Sequence, residues 1–521
     1  MKGLERLTVI RNISLKKGSE WVHKDIFRLL NKKDIWFIGY TNVLRSENKV
    51  PNFLNTLEEE QLNKWIDDVI TERYKPNLIK KTTFVTREKP LHTNKPYSFF
   101  DKIVIEVIKI IIKSIFESLI SESNFGRLKN TNEHSALQYV EKEFQNCNLI
   151  IEGKICNYVS TIDNSILFNF VNKKIDDIRF MNLIKKVLNA EAEMLTSKIM
   201  PPNQVIESSL KYALFDIYIC QFDEWVNKFK SHYLKNDYKT ILQNDTFLLD
   251  TSFKNLTYSQ KHYNLARKHC KDLHKENEKP LFLKNSGTTI KYVRYIQDWI
   301  IGIETNTNLA IQVKKETENF LLNNLKLSAV NTKLVSLTNG NISFLNYEIY
   351  LPRIKTMGQI ISRESLEKNR LRFEAPIKKL LEELENNGII KSIPKGYRSI
   401  SKNNLSTCED YTIVFYFNSI WLALCKYYSG TTNPHRLQYI HNLLQISCAM
   451  TLAHKHRSSC SEIFKKKGKG LTIYSPNTKR KISFTDKSGL YFKTRRWETM
   501  TYMLNPFKAI QNRIKTPRID L

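Results

Sequence analysis

Glycine and proline are scarce in this chain, with 15 and 14 among 521 residues. That excludes collagen-like or Pro/Gly-rich low-complexity architecture, and no internal repeat is visible. The eight cysteines, Cys147, Cys156, Cys220, Cys270, Cys408, Cys425, Cys448 and Cys460, are scattered. None forms a Cys-x-x-Cys or a paired Cys/His spacing, which argues against a zinc ribbon or an HNH-type nuclease knuckle. Buried, reduced thiols are the expectation. Long apolar runs are missing too. The most apolar stretch, Ile103–Phe116, is broken by Glu106, Lys109 and Lys113 at helical spacing, so it reads as an amphipathic helix and no membrane span is expected. The opening residues, MKGLERLTVIRNISLKKGSE, lack the apolar core of a signal peptide and the Arg-rich bias of a transit peptide. A chain working in an organelle would on that expectation be made there. Acid is short relative to base, with 52 Asp and Glu against 82 Lys and Arg.

What is present follows from that imbalance. A net charge of +30 repels itself unless a polyanion neutralises it, so nucleic acid is the leading partner and an anionic membrane surface the lesser one. Charge alone gives affinity without sequence preference. Hydrophobic residues at 41% and charged residues at 26% describe a globular protein of roughly two to four domains. Heavy use of Lys, Asn and Ile suits an AT-rich genome such as an organellar one.

The stretch Lys291–Glu304, KYVRYIQDWIIGIE, organises the rest. Tyr292, Val293, Tyr295 and Ile296 form one β-prone run and Trp299 to Ile303 a second, with Gln297 and Asp298 expected at the turn. An ordinary core hairpin is the plain reading. The residues also resemble the Tyr-x-Asp-Asp hairpin of reverse transcriptases, in the form carried by group II intron-encoded proteins, where Tyr-Val-Arg-Tyr-Ala-Asp-Asp-Phe precedes an apolar run. Here Gln297 replaces the first of the paired aspartates and Asp298 keeps the second. Two-metal phosphoryl transfer needs carboxylates that hold cations about 3.5–4 Å apart. A neutral amide is a poor Mg²⁺ ligand beside a carboxylate.

The resemblance covers about residues 80–470. Asp101 to Ile105 match the opening of a fingers helix over Phe99–Phe116, and Ser123 to Arg127 match a Ser-x-Gly-Phe-Arg segment with its middle inverted. For Arg127 a backbone-phosphate role and a solvated surface role weigh equally. Residues 149–163 resemble the strand carrying the first palm carboxylate, with Lys154 and Ser160 where the family has Asp, and with Ile162 and Asp163 retained. Lys154 would repel Mg²⁺ and would be placed to pair with Asp298; its plain reading is a lysine reaching solvent or phosphate. The Pro-Gln-Gly-Gly expected near Val205–Ser208 is absent, which removes glycines that admit template and nucleotide. Residues 226–290 read as a basic insertion. Helices are expected over Trp21–Asn31, Thr56–Tyr74, residues 176–190 and Lys368–Asn387.

Glu409–Lys469 resembles the thumb of these proteins, called domain X or the maturase domain, through Ile413, Val414, Tyr416, Asn418, Ile420, Lys426, Tyr427, Tyr428, Leu437, Ile440, Leu444, Ser447, Thr451, Leu452, Ala453 and Lys455. The cluster Lys455, His456, Arg457, Lys465, Lys466, Lys467 and Lys469 invites phosphate. Beyond it, Arg495 and Arg496 extend the basic character, with Tyr491 and Trp497 as aromatics able to stack on bases. Tyr427 and Tyr428 are equally consistent with core packing.

The resemblance implies an α+β fold: right-hand polymerase-like fingers and palm with an antiparallel sheet, then an all-helical thumb. The expected division is 1–80 as an N-terminal helical extension, 81–350 as degenerate fingers and palm, 351–470 as thumb and domain X, and 471–521 as a basic tail. It implies an intron maturase that stabilises folded group II or group III intron RNA without polymerase chemistry, since Lys154 and Gln297 replace acids beside Asp298. No metal site and no cofactor of its own are expected, Mg²⁺ belonging to the RNA. The partners implied are intron RNA and, secondarily, other splicing factors. The compartment implied is the plastid, with the mitochondrion as alternative. An active or weakly active RNA-directed DNA polymerase, a structural RNA-binding protein on the same fold, and the product of a decaying gene are the rival readings.

Overall fold

A computed structural model describes residues 2–18, 21–46, 56–76, 97–117, 121–126, 131–155, 162–196, 210–211, 213–231, 290–304, 306–327, 330–352, 370–474, 481–484, 497 and 506–511. Among them the chain begins with helix α1 (Gly3–Lys17), strand β1 (His23–Lys24), α2 (Lys33–Ser46), α3 (Thr56–Ile70) and α4 (Phe99–Phe116). There follow α5 (Glu133–Glu143), β2 (Leu149–Ile155), α6 (Asn164–Asn172), β3 (Ile175–Asp176) and α7 (Ile178–Thr196). A helical run over 213–231 precedes the hairpin of β4 (Ile290–Tyr295) and β5 (Asp298–Ile303), then α8 (Thr307–Asn319), β6 (Val330–Ser336), β7 (Ile342–Phe344) and β8 (Tyr347–Tyr350). The last part holds β9 (Arg372–Glu374), α9 (Ile377–Asn386), β10 (Ile390–Ile393), β11 (Gly396–Ser399), α10 (Asp410–Tyr427) and α11 (His435–Lys455). It closes with α12 (Cys460–Lys467), β12 (Ile473–Tyr474), β13 (Lys481–Ile482) and α13 (Pro506–Gln511). The fold is α+β.

These elements fall into two compact units that interleave along the chain. One holds residues 1–124, 154–229 and 315–331; the other holds 125–153, 230–314 and 332–521.

The first unit is mainly helical. Ser98 and Asp101 form a capping box that starts α4, Ser98 Oγ accepting from the Asp101 amide at 3.1 Å. The apolar positions Ile103, Val104, Val107, Ile108 and Ile111 are all fully buried, as the interrupted pattern of that stretch predicts. Gly39 lets α2 approach α4: a Cβ there would stand 2.8 Å from Val107 Cγ2. Residues Trp21–Asn31 are not the helix that their spacing suggests. They supply β1, which pairs in parallel with β3, and a short 3-10 turn over Phe27–Asn31. Trp36 seals this region, its Nε1 donating to the Leu30 carbonyl at 2.7 Å. Asp163, expected from the resemblance to belong to a palm strand segment, accepts from the amides of Ser165 and Ile166 at 2.8 and 3.1 Å and so caps α6.

The second unit carries a four-stranded sheet in the order β4-β5-β2-β6, an antiparallel three-stranded sheet β7-β8-β9, and the C-terminal helices. One apolar core runs through it, from Phe144 and Val293 to Phe373, Trp421, Tyr427 and Leu444. Two expectations need correction. The expected helix over Lys368–Asn387 begins only at Ile377, with Leu371 and Phe373 beside and within strand β9. Pro376 explains the boundary, because proline offers no amide and pushes Ala375 toward extended geometry. The thumb segment is also not all-helical: the antiparallel pair β10–β11 lies inside it. Among the described residues no helix is long and apolar enough to cross a membrane.

Candidate nucleic-acid interface

The hairpin at the centre of the sequence argument forms where its two runs place it. Its strands pair from Ile290 with Ile303 to Tyr295 with Asp298. The two turn residues are therefore Ile296 and Gln297, and Asp298 opens the second strand, one position from the expected turn. Ile296 takes φ of 53°, unusual for a β-branched residue. Arg294, fully buried, holds the turn: its Nη1 donates to the Ile296 carbonyl at 2.7 Å. The ring of Trp299 lies where a side chain at Gly153 would be, 2.1 Å from an added Cβ. Gly302 leaves room for Phe144 in the same way, at 2.6 Å. Lys154, on β2, is exposed. Among the described residues no group of three or more His, Cys, Asp or Glu side chains is arranged to hold a metal ion.

The basic residues singled out by the sequence divide into several groups. Tyr427 and Tyr428 are core residues, 2% and 0% exposed. Their hydroxyls donate to the carbonyls of Leu345 at 2.9 Å and Asn346 at 3.3 Å, so neither ring is available to RNA and the reading of both as RNA contacts is corrected. Burial drives the Tyr428 hydroxyl well above its usual range. Trp497, read as a base-stacking aromatic, packs against Gly430, His134 and Phe373. Lys426 is half-buried on α10. Arg127, Arg495 and Arg496 lie outside the described residues.

Lys455 and His456 meet an acid. Lys455 Nζ donates to Asp410 Oδ1 at 2.7 Å and to the Cys408 carbonyl at 2.8 Å, while His456 Nε2 lies 2.8 Å from Asp410 Oδ2. Burial alone would raise the Asp410 carboxyl, but the hydrogen bonds from Lys455 and His456 outweigh it and hold it below its usual range. Much of the Lys455 charge is thus answered inside the fold. Arg457, Lys465, Lys466 and Lys469 are exposed and Lys467 is half-buried. Ser459 caps α12, accepting from the Glu462 amide at 3.3 Å, and Gly468 ends it with φ of 73°. The three lysines of its last turn sit at the negative end of the helix dipole.

Sequence reasoning missed a further set. The β10–β11 hairpin presents Lys391, Lys395 and Arg398 to solvent. It is stitched along α11: Ser399 Oγ donates to the Leu443 carbonyl at 2.8 Å, Ser447 Oγ to the Ile400 carbonyl at 2.7 Å, and the Lys402 amide to Thr451 Oγ1 at 3.0 Å. On the helix itself Tyr439 and Ile446 remain 43% and 44% exposed. The available signal was Ile389–Ser399, two short β-prone runs around Pro394-Lys395-Gly396, which a helical expectation for the segment obscured.

Comparison with known proteins points to one family. The sequence model of the type II intron maturase family matches residues 368–510. The group II intron-encoded protein LtrA of Lactococcus lactis subsp. cremoris is 24% identical over 462 residues, which is 84% of this chain and 76% of that protein. Maturase K of Physcomitrium patens is 25% identical over 475 residues, 87% of each chain. Maturase K of Chara vulgaris is 27% identical over 418 residues, 76% of this chain and 77% of that one.

Proposed function

We infer, from a chain whose residues 368–510 are a type II intron maturase domain and whose group II relatives extend over most of its length, that it is an intron maturase acting in group II intron splicing. The observation that carries this reading is where the match falls. It takes in the exposed Lys391, Lys395, Arg398, Lys465, Lys466 and Lys469, on a chain whose net charge of +30 calls for a polyanion. Binding a compact RNA fold neutralises its phosphates and holds together helices that repel one another, while the transesterification chemistry stays with the RNA and its Mg²⁺.

The same reading gives residues 81–350 a polymerase-like fingers and palm ancestry and residues 351–470 the role of thumb. It assigns no DNA synthesis to the chain, because Gln297 and Lys154 stand where the resemblance to reverse transcriptases calls for carboxylates. Lys154 sits exposed on its strand, and Asp298 opens β5 directly after Gln297, whose side chain is an amide. Site residues for RNA are the exposed cations named above, together with Arg457, Lys426, Arg127, Arg495 and Arg496. The compartment we propose is the plastid, before the mitochondrion.

The test is binding and splicing. The purified full chain is expected to bind a group II intron transcript more tightly than a length-matched messenger fragment at the same salt, and to raise splicing of that transcript at limiting Mg²⁺. Equal affinity for both RNAs with no gain in splicing rejects the maturase role in favour of a general RNA-binding protein. Primer extension on an RNA template with Mg²⁺ or Mn²⁺ is expected to give no product; robust cDNA would restore the polymerase reading.

A further inference from the structure

We propose that the outer ridge of α11, flanked by the β10–β11 hairpin and by the turn after α12, seats an unpaired stretch of RNA. The proposal rests on the maturase reading for its macromolecule and adds the form of RNA taken and the residues that take it. Along α11 the exposed positions are His435, Arg436, Tyr439, Asn442, Ile446 and His454; Arg436 is bonded to Glu374, and His435, Tyr439, Asn442 and Ile446 are spaced four, three and four apart. That spacing puts them on one face of the helix. Tyr439 and Ile446 stand about 10 Å apart along the axis at 1.5 Å per residue. They are large apolar groups left in water on a helix whose other apolar residues are buried, save the half-buried Met450.

Each side of the ridge is walled by a different element. On one side the Tyr439 hydroxyl lies 3.5 Å from the Tyr397 carbonyl and Ser399 is bonded to Leu443, so the hairpin runs alongside. On the other side Gln445 Nε2 donates to the Lys469 carbonyl at 2.8 Å, which fixes the turn after α12. Leu443 and Gln445 are two residues apart, a rotation of about 200°, so the two walls face each other across the ridge. Lys391, Lys395 and Arg398 are exposed on the first wall and Lys465, Lys466 and Lys469 on the second. Against these, the acids bonded to or on these elements include Glu462, exposed at the start of α12; Glu385, whose Oε1 accepts from the Ser392 amide at 2.7 Å; Glu374, which takes up the charge of Arg436; and Asp410, which takes up that of Lys455.

Charge complementarity selects the occupant. An apolar ridge beside exposed cations matches a single strand whose bases lie on the ridge while its one phosphate backbone runs along a cationic wall, either wall being able to take it. In duplex RNA the base faces are hidden by stacking and pairing, and side chains reach mainly phosphate and sugar. An apolar protein partner would leave the cations without counterions.

The experiment uses the full chain with two probes at one salt concentration, a twelve-nucleotide oligouridylate and a stem-loop duplex of equal charge. The double variant Tyr439→Ala/Ile446→Ala is expected to bind the oligouridylate about five- to hundredfold more weakly, the range for losing one stacked base, with duplex affinity unchanged. Tyr439→Phe, which keeps the ring, is expected to retain single-strand binding. Lys391→Ala/Arg398→Ala is expected to weaken binding to both probes and to reduce the salt slope, by about 0.7 per lost phosphate contact on the single strand. Both substituted apolar residues are exposed, and a thermal melt checks that the fold is kept. For Tyr439→Ala/Ile446→Ala, equal loss on both probes, or no loss on the single strand, overturns the proposal; the latter would leave the ridge to a protein partner. Failure of the maturase reading shows elsewhere, as equal affinity of the unaltered chain for intron and messenger RNA, and leaves the oligouridylate result standing on its own.

Discussion

The indole Nε1 of Trp497 donates to Glu141 Oε2 at 2.7 Å, across 356 positions of sequence. The ring stands against Gly430, where an added Cβ would fall 2.1 Å from a ring atom, and edge-on to His134 and Phe373, with centroids 5.3 and 5.4 Å away. His134 in turn lies 2.6 Å from the Tyr427 carbonyl through its Nε2. One residue near the C-terminus is thereby locked to α5 and to the end of α10.

That lock is testable. Gly430→Ala forces the indole out or the loop aside, and overpacking of this kind costs about 1–3 kcal/mol. Trp497→Phe keeps most of the packing and loses the hydrogen bond to a carboxylate, a loss of about 1.5–3 kcal/mol. Urea unfolding of the two single variants and the double variant gives the coupling. We expect the double variant to cost less than the sum, because both changes act on one contact. Full additivity would mean that the indole is not held where it stands.

Asp410 carries the second prediction. Its carboxyl is held below the usual range in the folded state, against the pull of burial, by the hydrogen bonds from Lys455 and His456. A lowered folded value means that the stabilisation is present above the unfolded value of about 3.9 and is lost as pH falls through the folded one. Asp410→Asn is therefore expected to lower stability at pH 7 and to cost progressively less as pH falls below the unfolded value toward pH 2. It also releases Lys455 and His456 from their acid, so non-specific RNA affinity at low salt is expected to rise slightly. Thermal melts at the two pH values and a filter-binding titration check both halves. A destabilisation that does not change with pH would assign the effect to packing instead.

How much of this was legible beforehand depended on how local each signal was. The β4–β5 hairpin was readable because two β-prone runs flank a two-residue turn. The buried face of α4 was readable because its charges fall at helical intervals. The positive character of the C-terminal third needed only composition. What failed was whatever distant partners decide. Tyr427 and Tyr428 carry the amphipathic side chains that recognise RNA, and only the carbonyls of Leu345 and Asn346, some 80 residues away, commit them to the core. Lys455 and His456 were counted as free cations because Asp410, at the opposite end of the sequence segment, is adjacent only after α10 and α11 pack. The cations of the β10–β11 hairpin were overlooked because an all-helical expectation for the segment hid two β-prone runs too short to outweigh it.

The third prediction concerns the sheet. Gly153 and Gly302 are kept small by Trp299 and by Phe144 and Cys147 respectively, with an added Cβ at 2.1 Å from the Trp299 ring and at 2.6 Å from Phe144. Neither has an unusual backbone angle, so the requirement is space alone. Gly153→Ala is expected to cost about 1–3 kcal/mol, and a paired Trp299→Phe to restore part of it by shrinking the ring. Chemical denaturation of the three proteins decides the matter. No recovery in the double variant would show that the alanine clashes with backbone rather than with the indole.

Glu133 gives the fourth prediction, with the opposite sign from Asp410. It lies in the first turn of α5, and burial raises its carboxyl, opposed by a hydrogen bond from its own backbone amide and by one from the Tyr295 hydroxyl. A raised folded value means that the native state holds the proton longer than the unfolded chain does. Its contribution to stability is therefore greatest below the unfolded value of about 4.3 and falls as pH rises through the folded value. Glu133→Gln imitates the protonated form at every pH. The variant is expected to match the parent protein near pH 4 and to exceed it at pH 7, whereas Asp410→Asn departs from the parent in the other direction over the same interval. Melting curves of both variants between pH 3 and pH 7.5 check this. A Glu133→Gln protein that melts below the parent at pH 7 would mean that the ionised carboxylate's bond to Tyr295 outweighs the cost of burying its charge.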